Sequence, residues 1–180
     1  MHVADRDKSV FKMPPSPEVD AAWDYISMDG LEAILVSSDA IRKSGKDPKT
    51  IIPAPASWAG ANDRYPVQID VFHQIHCLDS LRRHVHKDYY FKMNPPTERQ
   101  IEHRDHCLHV LLESVRCNAD AGIIPHYWVY REEFGRVRPE EDWNIMRKCK
   151  DFDAVLRWAR EHAIPDFHSK WKALEPGEDS

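Results

Sequence analysis

The chain has 180 residues, the length of one domain with a sizeable core rather than of two. With 25 Lys+Arg against 30 Asp+Glu, a net charge of −5 and the two signs interspersed, it lacks the basic face that nucleic-acid binding needs. Its longest aliphatic run is 33–36, far short of the roughly 18 residues that span a bilayer, and its six Gly build neither a G-x-x-x-x-G-K-[ST] nor a G-x-G-x-x-G phosphate cradle.

Residues 1–13 are charged and unpatterned, carry no apolar signal-peptide core and read as a tail. Ser16-Pro17-Glu18 supplies an N-cap, a proline at the first helical position and an acid in the first turn. It predicts a helix over 17–26 with Val19, Ala22, Trp23 and Ile26 at helical spacing. Residues 33–36 read as a short strand, and Ser38-Asp39 as the cap of a helical turn that stops at Gly45. The Pro-, Ser- and Gly-rich stretch 47–65 reads as a long loop anchored by Trp58. Ile69, Phe72, Ile75, Leu78 and Leu81 recur at steps of three and four, which predicts a helix over 67–86 with Pro66 as its start signal. After a tight segment at 89–96, Thr97 and Gln100 make a capping box for a helix over 98–119. Its apolar positions are Ile101, Leu108, Leu111, Leu112 and Val115, and Gly122 lies just past its end. Residues 123–130 are aromatic and extended, and Asp151 caps a last helix stopped by Pro165. The expected fold is mainly α: one domain over 14–168 on a central antiparallel helix hairpin, with extra short helices, long loops, few short extended segments and a second tail at 169–180.

Eight of the 11 His fall between His73 and His126, where an even spread would place about three. That excess points to a metal. His73-Gln74-Ile75-His76-Cys77 and His103-Arg104-Asp105-His106-Cys107 are both H-x-x-H-C, one on each central helix. Positions i, i+3 and i+4 share a helix face, so each motif aligns two imidazoles and a sulfur. In a hairpin the two faces meet, which is how helix bundles build metal sites. Copper leads the divalent series for imidazole donors, whereas the zinc patterns H-E-x-x-H and H-x-E with P-C-x-x-C are absent. His103 and Asp105 also match the H-x-D of facial-triad iron sites, but helical residues two apart point to different sides.

The four cysteines leave two alternatives. An oxidising compartment favours disulfides, Cys77 with Cys107 and Cys117 with Cys149; a reducing one makes Cys77 and Cys107 thiolate ligands beside the histidines. Asp70, Asp79, Glu102 and Asp105 stand nearest in sequence to orient the imidazoles. Tyr89, Tyr90 and Asp105 are the candidate catalytic groups, with His126, Tyr127 and Trp128 as further pocket or relay candidates. His84, nearly three turns after His73, marks a pocket edge.

The two H-x-x-H-C motifs stand among further segments: Pro-Ser-Pro-Glu-Val-Asp-Ala-Ala-Trp at 15–23, Asp-Val-Phe ahead of His73, Lys-Asp-Tyr-Tyr at 87–90, Arg-Cys-Asn-Ala-Asp at 116–120 and Lys-Cys-Lys-Asp-Phe-Asp at 148–153. Together they resemble the fungal UstYa-like family of mycotoxin biosynthesis oxidases. The resemblance implies an active site of His73, His76, Cys77, His103, His106 and Cys107 with copper as cofactor. It implies oxidative cyclisation, hydroxylation or desaturation of a peptide or small-molecule secondary metabolite, using O2 and a reductant. Two alternatives go with it: a copper-dependent halogenase, and a non-catalytic partner in a homo- or hetero-oligomer with a family member. Family members typically carry an N-terminal membrane helix before a lumenal domain, so the implied location is the secretory pathway lumen, membrane-anchored in the full-length form, with this chain itself soluble. His109 departs from the family pattern and reads as a surface side chain or an extra ligand.

Overall fold

Ser16 caps the first helix, its Oγ accepting the Val19 N–H at 3.3 Å, and α1 runs Pro17–Ile26. This computed structural model describes residues 9–172 apart from 30, 32, 59 and 144, so the expected tails lie partly outside the described residues. β1 (Ile34–Ser37) is followed by α2 (Ser38–Lys43), capped by Ser37, one residue earlier than the sequence suggests. β1 pairs antiparallel with β2 (Arg64–Val67), with Leu35 opposite Pro66. Pro66 therefore lies inside one strand of a two-stranded sheet, where a proline is tolerated, and the next helix starts later than 67.

That helix is α3 (Asp70–Val85), and the short α4 (Lys87–Tyr90) follows it. α5 (Glu98–Asn118) opens on the expected capping box: Thr97 Oγ1 accepts the Gln100 N–H at 3.3 Å, and Gln100 Oε1 accepts the Thr97 N–H at 2.8 Å. It closes on Ala119 in the left-handed region at φ 36°, not on Gly122. β3 (His126–Arg131) forms a hairpin with β4 (Arg136–Glu141), turned by Gly135 at φ 59°, where a glycine is required. α6 (Phe152–Glu161) is capped by Asp151, whose Oδ1 accepts the Ala154 N–H at 2.9 Å, and α7 (Phe167–Lys172) ends the described chain. At 51% helix and 13% strand among the described residues, the strands in two small antiparallel sheets, the fold is mixed, with helices predominant.

Two buried clusters hold these elements. Trp58, Ala54 and Ala61 from the long connection pack with Ala33, Ile164 and Phe167, so Trp58 anchors its loop by docking on the C-terminal segment. Leu31, Phe72, Leu156 and Ala159 form the second, which seats the start of α3 on α6. Burying Phe72, 2% exposed, contributes roughly 1.5–3 kcal/mol.

α5 contributes only Cys107 to the buried residues. At about 100° per residue, Ile101, Leu108, Leu112 and Val115 fall on the side of the helix opposite His103, His106, Cys107 and Ser114. The latter set faces α3, and the four apolar residues are exposed, Val115 at 70%. The expected apolar packing of α5 is thus replaced by an interface of histidine, cysteine and serine. No helix among the described residues is long and apolar enough to cross a membrane.

Candidate metal centre

α3 and α5 pack so that positions early on one meet positions late on the other. Gln74 Oε1 accepts the Ser114 hydroxyl at 2.9 Å, the His73 ring meets His106 at 5.9 Å between centroids, and His76 meets His103 at 5.2 Å. The within-helix pairs His73–His76 and His103–His106 stand 6.4 and 6.3 Å apart, so the four imidazoles occupy the corners of a quadrilateral. The i, i+3 spacing of each motif places two rings on the inner face, and the packing of the helices does the rest.

Cys77 and Cys107 form the floor, both fully buried and near enough that Cys107 influences the ionisation of Cys77. Cys77 Sγ lies 3.7 Å from His73 Nε2, and Cys107 Sγ lies 3.7 Å from His103 Nε2. Burial, with Cys107 beside it, pushes the Cys77 thiol up to about 12, so it is a protonated thiol at neutral pH. All four cysteines are free, and the expected disulfides Cys77–Cys107 and Cys117–Cys149 are not formed. Native protein at pH 8 should titrate rapidly with a thiol reagent at the exposed Cys117 and Cys149 alone, and unfolded protein at all four. Four reactive thiols in the native state, or none on unfolding, would contradict this arrangement.

The imidazoles differ electrostatically. Burial, then the neighbouring His76, holds His73 below the ordinary histidine value, and the same two causes lower His103. His76 goes the other way: its Nδ1 lies 2.7 Å from Asp29 Oδ2, and that hydrogen bond raises it above 6.5 while lowering Asp29 below 3.8. A raised histidine contributes stability below its unfolded value and loses it as pH rises through the folded one. A lowered carboxylate contributes above its unfolded value and loses it as pH falls. The pair therefore stabilises fully from about pH 3.8 to 6.5 and fades on either side. Imidazole proton shifts of the metal-free protein should titrate His76 above 6.5 and His73 and His103 below it; a reversed order would contradict this geometry.

The donor set suits a borderline metal such as copper: four imidazoles, two of them kept neutral by burial, with two sulfurs beneath. An imidazole nitrogen sits about 2.0–2.1 Å from a bound metal, so two rings sharing one ion in a tetrahedral arrangement have centroids on the order of 5 Å apart. The His76–His103 pair, at 5.2 Å, is spaced for that. As the side chains stand, no three of the described His, Cys, Asp or Glu residues are grouped to hold an ion, so a bound ion would need one of the rings to turn. A cavity of about 450 Å³ opens on the His76–His103 edge, bounded by Asp24, Arg83, His84, Phe91 and Gln100. His84 is one of its lining residues.

Other expected groups lie elsewhere. The Tyr90 hydroxyl donates to Asp20 at 2.6 Å and accepts from Arg82 at 2.6 Å, and the exposed Tyr89 stacks edge-on against it. Asp105 pairs with its neighbour Arg104 at 2.7 Å, as residues two apart on a helix require for His103 and Asp105 to diverge. None of the three lines the cavity. Of the carboxylates expected to orient the rings, Asp79 is committed to Arg82 and Arg83, and Glu102 is exposed. The group that does meet a ring is Asp29, which the sequence reading misses because it lies 47 residues from His76 in an unpatterned turn after α1.

The family profile described as mycotoxin biosynthesis protein UstYa matches residues 2–162. Among curated relatives, the UstYa family oxidase aprY of Aspergillus flavus is 34% identical over 89% of this chain and 49% of its own length. The UstYa family oxidase phomYc of Diaporthe leptostromiformis is 26% identical over 87% of this chain and 60% of its own. The oxidase ustYa of Aspergillus flavus is 26% identical over 53% of this chain and 41% of its own. The chain thus spans about half the length of the curated relatives it matches, and no solved structure matches it. A match over nearly the whole chain that includes both H-x-x-H-C helices places this protein in the UstYa family.

Proposed function

We propose that this protein is a copper-dependent oxidative enzyme of fungal secondary metabolism that cyclises, hydroxylates or desaturates a peptide or small-molecule intermediate. The observation that supports this most is the quadrilateral of His73, His76, His103 and His106 on two packed helices, with a cavity on one edge. Its matching relatives bear the name oxidase. His76 and His103, nearest each other and at the cavity, are the primary ligands; His73 or His106 completes the set. Bound copper would supply one-electron exchange with O2. The residues around it do the rest. Burial keeps His73 and His103 neutral, so each holds a lone pair for a metal without first losing a proton. The buried Cys77 and Cys107, of which Cys77 is held as a thiol, close the floor and keep water from the inner side of the rings. The cavity binds the substrate with its reacting carbon toward the His76–His103 edge, where Phe91 offers an apolar wall and Gln100 and Arg83 offer donors.

The test is product analysis by mass spectrometry with copper, a reductant and O2 on the peptide or metabolite made by neighbouring genes. A mass loss of two hydrogens or gain of one oxygen is expected, and product formation that requires halide would replace the oxidase reading with the halogenase one. The exposed apolar side of α5, with Ile101, Leu108, Leu112 and Val115 on it, favours a second reading: this chain works joined to a second family member. Activity seen only when a partner is added would establish it.

A further inference from the structure

We infer that Asp29 is the positioning residue of the centre, fixing His76 in the tautomer that offers Nε2 to the metal. This rests on the copper reading above and adds to it which ligand is preset. Asp29 Oδ2 lies 2.7 Å from His76 Nδ1. A carboxylate only accepts, so Nδ1 carries the proton and donates it, and in the neutral ring Nε2 keeps its lone pair. The carboxylate is itself fixed. Ser27 Oγ, in a residue 1% exposed, donates to Asp29 Oδ2 at 3.2 Å and accepts the Asp29 N–H at 3.2 Å. The Met28 N–H donates to the Phe72 carbonyl at 3.2 Å, tying this turn to the start of α3, one residue from His73.

Among the described residues no other corner of the quadrilateral has such a partner. His73 meets the Cys77 sulfur, and His103 meets Ser80 Oγ at 3.4 Å and the Cys107 sulfur. Neither partner fixes a tautomer, because a hydroxyl both donates and accepts. The centre is therefore asymmetric: one imidazole arrives oriented and made more basic by a carboxylate, and the others adjust to it. Carboxylate partners of ligating histidines typically contribute 10–100-fold in metal affinity.

Two measurements on the whole chain test this. Cu(II) affinity, from competition with a chelator, should fall about 10–100-fold in Asp29→Ala and less in Asp29→Asn, which keeps an accepting oxygen without the charge. The Cu(II) hyperfine pattern in electron paramagnetic resonance should change with it. In the metal-free protein at pH 8, nitrogen–proton correlation spectra should place the His76 proton on Nδ1, and Asp29→Ala should move it to Nε2. Equal affinity in Asp29→Ala and a wild type that binds copper overturns this inference alone. Failure of the wild type to bind copper overturns the copper reading, and an Nε2-protonated His76 in the wild type overturns the role of Asp29 without reference to any metal.

Discussion

Replacing His76 or His103 by alanine is expected to abolish stoichiometric copper binding, whereas His73→Ala and His106→Ala weaken it roughly tenfold. The ranking follows from geometry. His76 and His103 form the closest pair across the two helices, line the cavity, and each has a side-chain oxygen at Nδ1 that limits how far the ring turns. The His73–His106 pair is wider, at 5.9 Å, and His106 is exposed, so either ring can supply a third ligand and neither is indispensable. Metal analysis after gel filtration, with electron paramagnetic resonance on the same samples, reads the outcome. All four variants keeping full copper would remove the centre from this helix pair, and wild-type protein that carries stoichiometric zinc and no copper would remove copper from the centre. Unfolding is not the confounding event here, because His76 and Asp29 are both partly solvent-exposed and their pair contributes little to stability by itself.

What the sequence disclosed of this fold was local chemistry. Ser16, Thr97 with Gln100, and Asp151 were legible because a cap depends on residues three apart, and all of them bond as their spacing says. The H-x-x-H-C motifs were legible for the same reason: helix periodicity alone aligns the side chains within each. β4 was not legible. Its Arg136-Val-Arg-Pro-Glu-Glu has no alternation, because both faces of an exposed two-stranded ribbon meet water and no core imposes a period of two. α5 misled in a different way. Its apolar residues repeat with helical period, and periodicity identifies a face without saying which side is inward; the histidines took the inner side. Asp29 lay beyond reach, since only the packing of the turn at Ser27, Met28 and Asp29 on α3 brings it to His76. Tyr90 looked catalytic by proximity in sequence, yet its hydroxyl belongs to an ion network that fastens α1 to α3.

That network carries the largest expected effect on stability: Arg82→Met should cost about 3–5 kcal/mol. Arg82 is nearly buried, and its guanidinium donates at 2.6 Å to each of Asp79, Tyr90 and Asp20, while lying 5.5 Å over the Trp23 ring. Methionine fills much of the same volume, so the loss is electrostatic rather than a cavity: Asp79, 4% exposed, keeps only Arg83, and the Asp20 carboxylate keeps the Tyr90 hydroxyl and a 4.0 Å approach of Arg83. Removing one partner of a buried pair costs more than the pair contributes, because a desolvated charge is left behind. Tyr90→Phe, which removes one neutral donor and leaves Arg82 in place, should cost about 1 kcal/mol. Urea unfolding at pH 7 measures both, and an Arg82→Met variant no less stable than Tyr90→Phe would show that Arg83 alone satisfies Asp79. The acid branch gives a second reading. Burial pushes the Asp20 carboxyl up, but hydrogen bonds from Tyr90 and Arg82 outweigh it and leave the group below 3.8. Its contribution is therefore present above that value and lost as pH falls through the lowered one, so Arg82→Met should flatten the stability profile below about pH 3.8. Because α1 delivers the turn that holds Asp29, a chain loosened at Arg82 should also bind copper less tightly, though Arg82 itself does not line the cavity beside His76 and His103.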